Sequence, residues 1–135
     1  MNNNHTYLCV EDDEMNRLAV KAVFTRIMGI EHLVVFDDST DFMSRVKSLE
    51  NRPSFFLLDV RVKPHDGFEM LKMLRADPDF QKVKVIAFTA SVMNDEVEKL
   101  RESGFDGAIG KPISISVFPD LIERIVQGES IWYVA

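Results

Sequence analysis

The chain has 135 residues, 46% of them hydrophobic, and sets 22 acidic against 16 basic side chains for a net charge of −6. That length suits one globular domain with a full core and is too short for a second, and an acidic balance without a basic block disfavours nucleic acid and anionic lipid surfaces. The lone cysteine, Cys9, has no internal disulfide partner, no secretory leader opens the sequence, and no apolar run approaches the roughly 20 residues of a membrane span, so a cytoplasmic protein is expected.

Apolar runs alternate with amphipathic stretches along the chain. Residues 5–10 form the first run, which stops on Glu11-Asp12-Asp13. Met15, Leu18, Ala19, Ala22 and Val23 then recur at helical spacing as far as Met28-Gly29, where the glycine can close the helix. Residues 32–36 predict a second strand. Asp38-Ser39 offers an N-cap for a second helix with the inward stripe Phe42, Val46 and Leu49. Residues 54–59 form a third strand that ends on Asp59 and leads through Lys63-Pro64-His65-Asp66-Gly67 into a helix carrying Phe68, Leu71 and Leu74, which Asp77-Pro78 breaks. Residues 83–88 predict a fourth strand, stopping on Thr89. Val97, Leu100 and the closing Gly104 describe a fourth helix. Residues 107–110 form a short fifth strand stopping on Lys111-Pro112, ahead of a last helix with Val117, Leu121, Ile122 and Ile125.

Strands written as continuous apolar runs and linked by helices predict a parallel sheet covered on both faces, a doubly wound five-stranded α/β architecture. In such sheets ligands bind beyond the carboxyl ends of the strands at the switch point, where a 2-1-3-4-5 order sets strands one and three side by side. Glu11, Asp12 and Asp59 then become neighbours, with Thr89 and Lys111 along the same edge. Each residue alone has a bland reading: an acid suiting a helix dipole, a loop cap, a strand-end hydroxyl, a surface lysine. Those readings predict no coincidence of position.

Three carboxylates in one cleft repel one another unless a cation joins them. An all-oxygen set without nearby His or Cys suits a hard ion, Mg²⁺ or Mn²⁺, and His5, His32 and His65 show no ligand spacing. Such an ion and Lys111 together leave a field that accepts a phosphoryl group. An ionised Asp59 attacking phosphorus gives an acyl phosphate, with the Thr89 hydroxyl and the Lys111 ammonium on the phosphoryl oxygens.

Val10-Glu11-Asp12-Asp13, Leu57-Leu58-Asp59-Val60-Arg61 with Asp66-Gly67, Phe88-Thr89-Ala90 and Gly110-Lys111-Pro112 occur in this order, and the chain resembles over nearly its whole length the receiver domain of two-component response regulators. The resemblance implies the flavodoxin-like (βα)5 receiver fold. It also implies a phosphorelay module in signal transduction, with Asp59 accepting phosphate from a sensor histidine kinase or phosphotransfer protein. Glu11 and Asp12 then hold Mg²⁺ directly or through water, with Asp59 and the backbone carbonyl of Arg61 completing the protein ligands. Asp13 begins the first helix, Thr89 is the switch hydroxyl, Lys111 contacts the phosphate, and the Lys111-Pro112 bond matches one that is cis in the family. A stand-alone regulator is expected, catalysing its own phosphorylation and dephosphorylation and acting by binding a downstream protein.

The pattern departs from the family in two places. Where the family often carries a Tyr or Phe whose ring moves inward as the threonine engages phosphate, this chain has Ala108, leaving Phe105, Phe88 or a ring-free movement as substitutes. Val62-Lys63-Pro64 stands in place of the common Met-Pro. Arg61 and Ser91 occupy positions that in the family tune how fast water removes the phosphate. Two further readings stay open: a pseudo-receiver that docks partners without phosphate turnover, and an aspartyl-nucleophile phosphatase of the haloacid-dehalogenase type. The latter wants a second Asp where Arg61 stands. The receiver is expected over 1–127 and an apolar tail over 128–135, where Gly128 ends the last helix. Ile131-Trp132-Tyr133-Val134 then exposes a tryptophan unless it folds back, pairs with a second copy as a homodimer, or reaches a partner.

Overall fold

Each apolar run becomes a strand whose side chains alternate between two helix layers, a period of two hidden inside sequences that are apolar throughout. The computed structural model of the protein describes residues 5–90 and 93–133. Its strands are β1 (Tyr7–Val10), β2 (Leu33–Phe36), β3 (Phe55–Asp59), β4 (Lys84–Thr89), β5 (Gly107–Gly110) and β6 (Trp132–Tyr133). All neighbours pair in parallel in the order β2-β1-β3-β4-β5-β6. The 2-1-3-4-5 arrangement therefore stands, and the C-terminal segment folds back to add a sixth strand beside β5. Val134 lies outside the described residues.

The helices are α1 (Glu14–Lys21), α2 (Phe42–Lys47), α3 (Gly67–Ala76), α4 (Asn94–Ser103) and α5 (Phe118–Val126). Leu8, Val10, Phe56, Leu58, Val85, Ala87 and Ala108 form one buried cluster with Phe42, Val46, Met70, Leu71, Leu74 and Leu100 of α2, α3 and α4. Tyr7, Cys9, Phe55, Leu57, Ile86, Phe88 and Ile109 form the other with Val20 of α1 and Leu121, Ile122 and Ile125 of α5. Each large apolar side chain taken out of water contributes about 1.5–3 kcal/mol, which makes these two clusters the main support of the sheet. None of the described helices is long and apolar enough to cross a membrane.

Two local expectations are corrected. The stripe on the first helix follows its spacing only in part: Val23 is buried as expected, but Met15 and Leu18 are exposed, and Val20 and Phe24 are buried in their place. After Lys21 the helix loosens into a π-helical segment, Ala22–Ile27, with Met28 N–H donating to the Val23 carbonyl. Thr25 Oγ1 donates to the Lys21 carbonyl at 2.6 Å, taking the acceptor that an α-helix offers to the Thr25 N–H; such back-bonding bends helices. The second correction is at α2, which Asp38 and Ser39 do not cap. Its N-cap is Asp41, in a left-handed conformation (φ 48°) with no side-chain cap bond. Asp38 instead accepts from the Thr40 N–H at 3.0 Å and from Arg45 at 2.9 Å, while Ser39 is fully buried and binds the loop after β3.

Asp66 caps α3 in a reciprocal box with Glu69, and this fixes where the chain leaves the end of β3. A side chain at Gly67 would press on Val60 Cα at 3.0 Å and on the Asp59 carbonyl at 3.1 Å. Only glycine lets α3 begin so close to the strand end that carries Asp59.

Candidate functional site

The strand order places β1 between β2 and β3, so the chain ends of β1 and β3 meet at the point where connections diverge to opposite sides. Val10 pairs with Leu58 in register, and the residues that follow, Glu11 and Asp59, stand together beyond the sheet. Glu11, Asp12 and Asp59 each offer a carboxylate oxygen, and these oxygens lie within 4.8 Å of one another.

Glu11 and Asp59 are buried and Asp12 is exposed, so the cluster has a dry floor and a wet mouth. Glu11 Oε2 accepts the Asp13 N–H at 2.9 Å, and Asp59 Oδ1 accepts the Arg61 N–H at 2.9 Å. Their other oxygens face one ammonium: Lys111 Nζ lies 2.7 Å from Glu11 Oε1 and 3.1 Å from Asp59 Oδ2. The Lys111-Pro112 peptide is cis, Lys111 N–H donates to the Thr89 carbonyl at 2.8 Å, and its ammonium sits 5.0 Å from the centroid of the Phe88 ring. Backbone pairing and an aromatic face thus aim the lysine at the two acids.

Burial holds the Glu11 carboxyl well above the ordinary range, at about 7, with the nearby Asp59 charge adding to the rise against the contacts from Lys111 and the Asp13 N–H. Burial pulls Lys111 down, but its contacts with Glu11 and Asp59 outweigh that and leave it raised. Burial likewise pushes the Cys9 thiol up, which makes it an inert core residue.

All five expected side chains therefore sit at one edge, with Thr89 buried at the end of β4 opposite Gly110. Arg61 contributes its N–H to Asp59, while its guanidinium points outward, 3.9 Å from Glu96. Ser91 lies outside the described residues. A cleft of about 610 Å³ runs from Thr89 between the loop after β3 and α4, lined by Arg61, Lys63, Phe68, Lys99 and Leu100 among others. Two supports were missed in the sequence. Arg17 donates to the Glu11 carbonyl at 3.0 Å, and Ser39 both donates to the His65 carbonyl and accepts its N–H, at 2.7 Å each, tying the β3–α3 loop to the β2–α2 loop. A basic residue one turn into α1 was the available signal for Arg17. Ser39 carried none, because its partner is 26 positions away.

The donor set fits a hard divalent ion on its own chemistry: three carboxylates, all oxygen, one open to water, and one ammonium that offsets a single charge. Fold and site together define a doubly wound signalling-type module with an acidic pocket beside a strand-end aspartate. The family model described as the response regulator receiver domain matches residues 7–123, and the chain belongs to that family. It is 35% identical over 74 residues to the polar-differentiation response regulator DivK of Brucella anthropi, a match spanning 55% of this chain and 60% of DivK. The receiver domain of a DNA-binding response regulator from Colwellia psychrerythraea superposes with a TM-score of 0.79 at 20% identity, over 91% of this chain and 98% of that one. The receiver domain of the sensor histidine kinase PA1611 of Pseudomonas aeruginosa, with a magnesium ion coordinated in its active-site cleft, gives 0.78 at 22% identity over 92% and 98%. At such identities the solved structures speak for the fold, and the chain functions within two-component signalling as a receiver domain.

Proposed function

We propose that Asp59 accepts a phosphoryl group from a phosphohistidine on a sensor histidine kinase or phosphotransfer protein, and that the chain signals by binding a downstream protein. The observation that carries this reading is the shared ammonium: one lysine is held between Glu11 and Asp59 at 2.7 and 3.1 Å, beside a buried aspartate at a strand end. In transfer, an Asp59 carboxylate oxygen forms the new bond to phosphorus as the phosphorus–nitrogen bond of the donor breaks, and the departing imidazole keeps the electron pair. Lys111 and the Thr89 hydroxyl take up the phosphoryl oxygens as charge develops there. Hydrolysis reverses the state when water attacks the same phosphorus and Asp59 leaves as a carboxylate.

Glu11, Asp12, Asp59 and the Arg61 carbonyl are the residues that would hold Mg²⁺, with Mn²⁺ as a substitute, in keeping with the magnesium-bound PA1611 receiver. When bound, the ion supplies positive charge to the phosphoryl oxygens and relieves repulsion among the acids. The same reading takes 1–127 as the receiver body and 128–135 as a C-terminal segment that is paired with β5 through Trp132 and Tyr133 and ends the sheet, where a second copy of the chain can meet it, and it calls for the cytoplasm as compartment. A single monomeric species in sedimentation at high concentration, with and without phosphorylation, removes the homodimer.

Incubation with phosphoramidate and Mg²⁺ followed by intact-mass measurement tests the central step. A gain of one phosphoryl group that disappears in Asp59→Asn is expected. No gain in the parent chain points to a pseudo-receiver that docks partners without phosphate turnover.

A further inference from the structure

α4 rests on three consecutive residues. Leu100 is its buried residue; on one side Lys99 Nζ lies 4.9 Å from the Phe68 ring centroid, and on the other the Arg101 guanidinium lies 4.8 Å from the centroid of Trp132. Phe68 is itself braced edge-on by Phe105 at 5.7 Å. The inner half of this seat is thus built from α3 and the core, and the outer half from the C-terminal strand.

That strand is fitted to its place. Ala108 N–H donates to the Ile131 carbonyl at 2.8 Å, and Ala108 and Ile109 pair with Trp132 and Tyr133. A Cβ on Gly107 would run into the Ile131 carbonyl oxygen, so the approach depends on that glycine. Leu58, Ala87, Ala108 and Trp132 form one row across β3, β4, β5 and β6, and the two alanines leave room for the half-buried indole at its end. The attachment is nonetheless short. Residues 127–130 are exposed, with Gly128 at a φ of 112° and an Arg124–Glu129 ion pair of 3.1 Å across the bend.

The cleft beside Thr89 lies on the opposite side of α4 from Trp132, and Glu96, Lys99 and Leu100 form its α4 wall. Thr89 and the α4 residues Glu96, Lys99 and Leu100 thus share one cleft, and the next residue, Arg101, is the one on the indole. The coupling inferred below is that a phosphoryl group drawing the Thr89 hydroxyl shifts α4 toward this cleft and takes Arg101 off Trp132.

We propose that residues 129–133 form a releasable strap over the β5 edge and the outer seat of α4, with Trp132 as its latch, and that phosphorylation of Asp59 loosens it. This rests on the receiver reading above and adds to it the element that reports the modification. Reciprocity requires that the strap, when held, disfavour the phosphorylated arrangement. Release leaves β5 with unpaired backbone groups, an edge open to an added strand.

Trp132 is the chain's single tryptophan, so its fluorescence reads the latch directly. The full chain is treated with phosphoramidate and Mg²⁺, and acrylamide quenching is measured on the same samples as intact mass. Quenching is expected to rise in step with the mass gain, by about twofold as a locally opened segment meets solvent. In Arg101→Ala, quenching is raised at rest and phosphorylation adds little. A full mass gain with unchanged quenching overturns the strap and leaves the receiver standing, as does a resting Arg101→Ala that quenches like the parent. Absence of a mass gain overturns both.

Discussion

Lys111 and Glu11 form the tightest charge contact in the site: the ammonium nitrogen lies 2.7 Å from Oε1 of a carboxylate that is fully buried. The pair matters because a charge of either sign left alone in that place is costly, whereas the pair together is tolerated.

Removing the ammonium exposes that dependence. Lys111→Ala is expected to destabilise the metal-free protein by about 3–5 kcal/mol near pH 8, since two buried acids lose their shared partner. It should also tighten Mg²⁺ binding, because the ion no longer shares the acids with a competing cation. Urea unfolding and calorimetric titration measure the two effects, and weaker Mg²⁺ binding in the variant would contradict this account of the site.

The Glu11 carboxyl sets a pH dependence with a definite sign. Its native pKa of about 7 exceeds the ordinary 4.5, so the folded state binds more protons than the unfolded state between those values. The contribution of this group to stability is complete below the lower value and is lost as pH rises through the upper one. Relative to Glu11→Gln, the metal-free parent should therefore lose on the order of 2–3 kcal/mol between about pH 5 and about pH 8. Saturating Mg²⁺, which holds the carboxyl ionised at both ends, should flatten that difference. Paired urea titrations of parent and variant across this range check it.

Ser39→Ala tests the tie between the β2–α2 loop and the loop that follows Asp59. The His65 N–H loses its 2.7 Å acceptor, and an unsatisfied buried donor costs about 1–3 kcal/mol. The loss should appear in thermal unfolding, together with faster amide exchange at His65. A variant with parental protection at that amide would show that the loop is held by other contacts.

Gly107→Ala reports on the sixth strand without phosphorylation. The added methyl meets the Ile131 carbonyl oxygen, and an over-packed site of this kind costs about 1–3 kcal/mol. The indole of Trp132 should shift its emission to the red and become more accessible to acrylamide. Parental emission and quenching would mean that the strand tolerates a side chain at 107.

Much of this molecule was legible in neighbouring residues alone. Apolar runs that stop on Glu11, Asp59, Thr89 and Lys111 give the strands, and the intervening periodicity gives the helices. The rule that parallel sheets bind ligands at their carboxyl edge then gathers those residues, because side-chain alternation and turn chemistry are local properties. Position in space is not local. The first helix exposes Met15 and Leu18 and buries Val20, Val23 and Phe24 instead, an orientation that answers to packing of Phe24 against Tyr7 of β1 and Phe118 of α5. Asp38 and Ser39 resemble a cap in sequence but are claimed by Arg45 and by the loop after Asp59. Trp132 looks like a loose apolar tail until Gly107, far back in the chain, makes space for its strand. The sequence by itself determined which chemical groups the protein has and the end of the sheet at which they emerge. Only the tertiary structure decided which groups share a partner, since burial, pairing and close approach are set by residues that the chain order keeps apart.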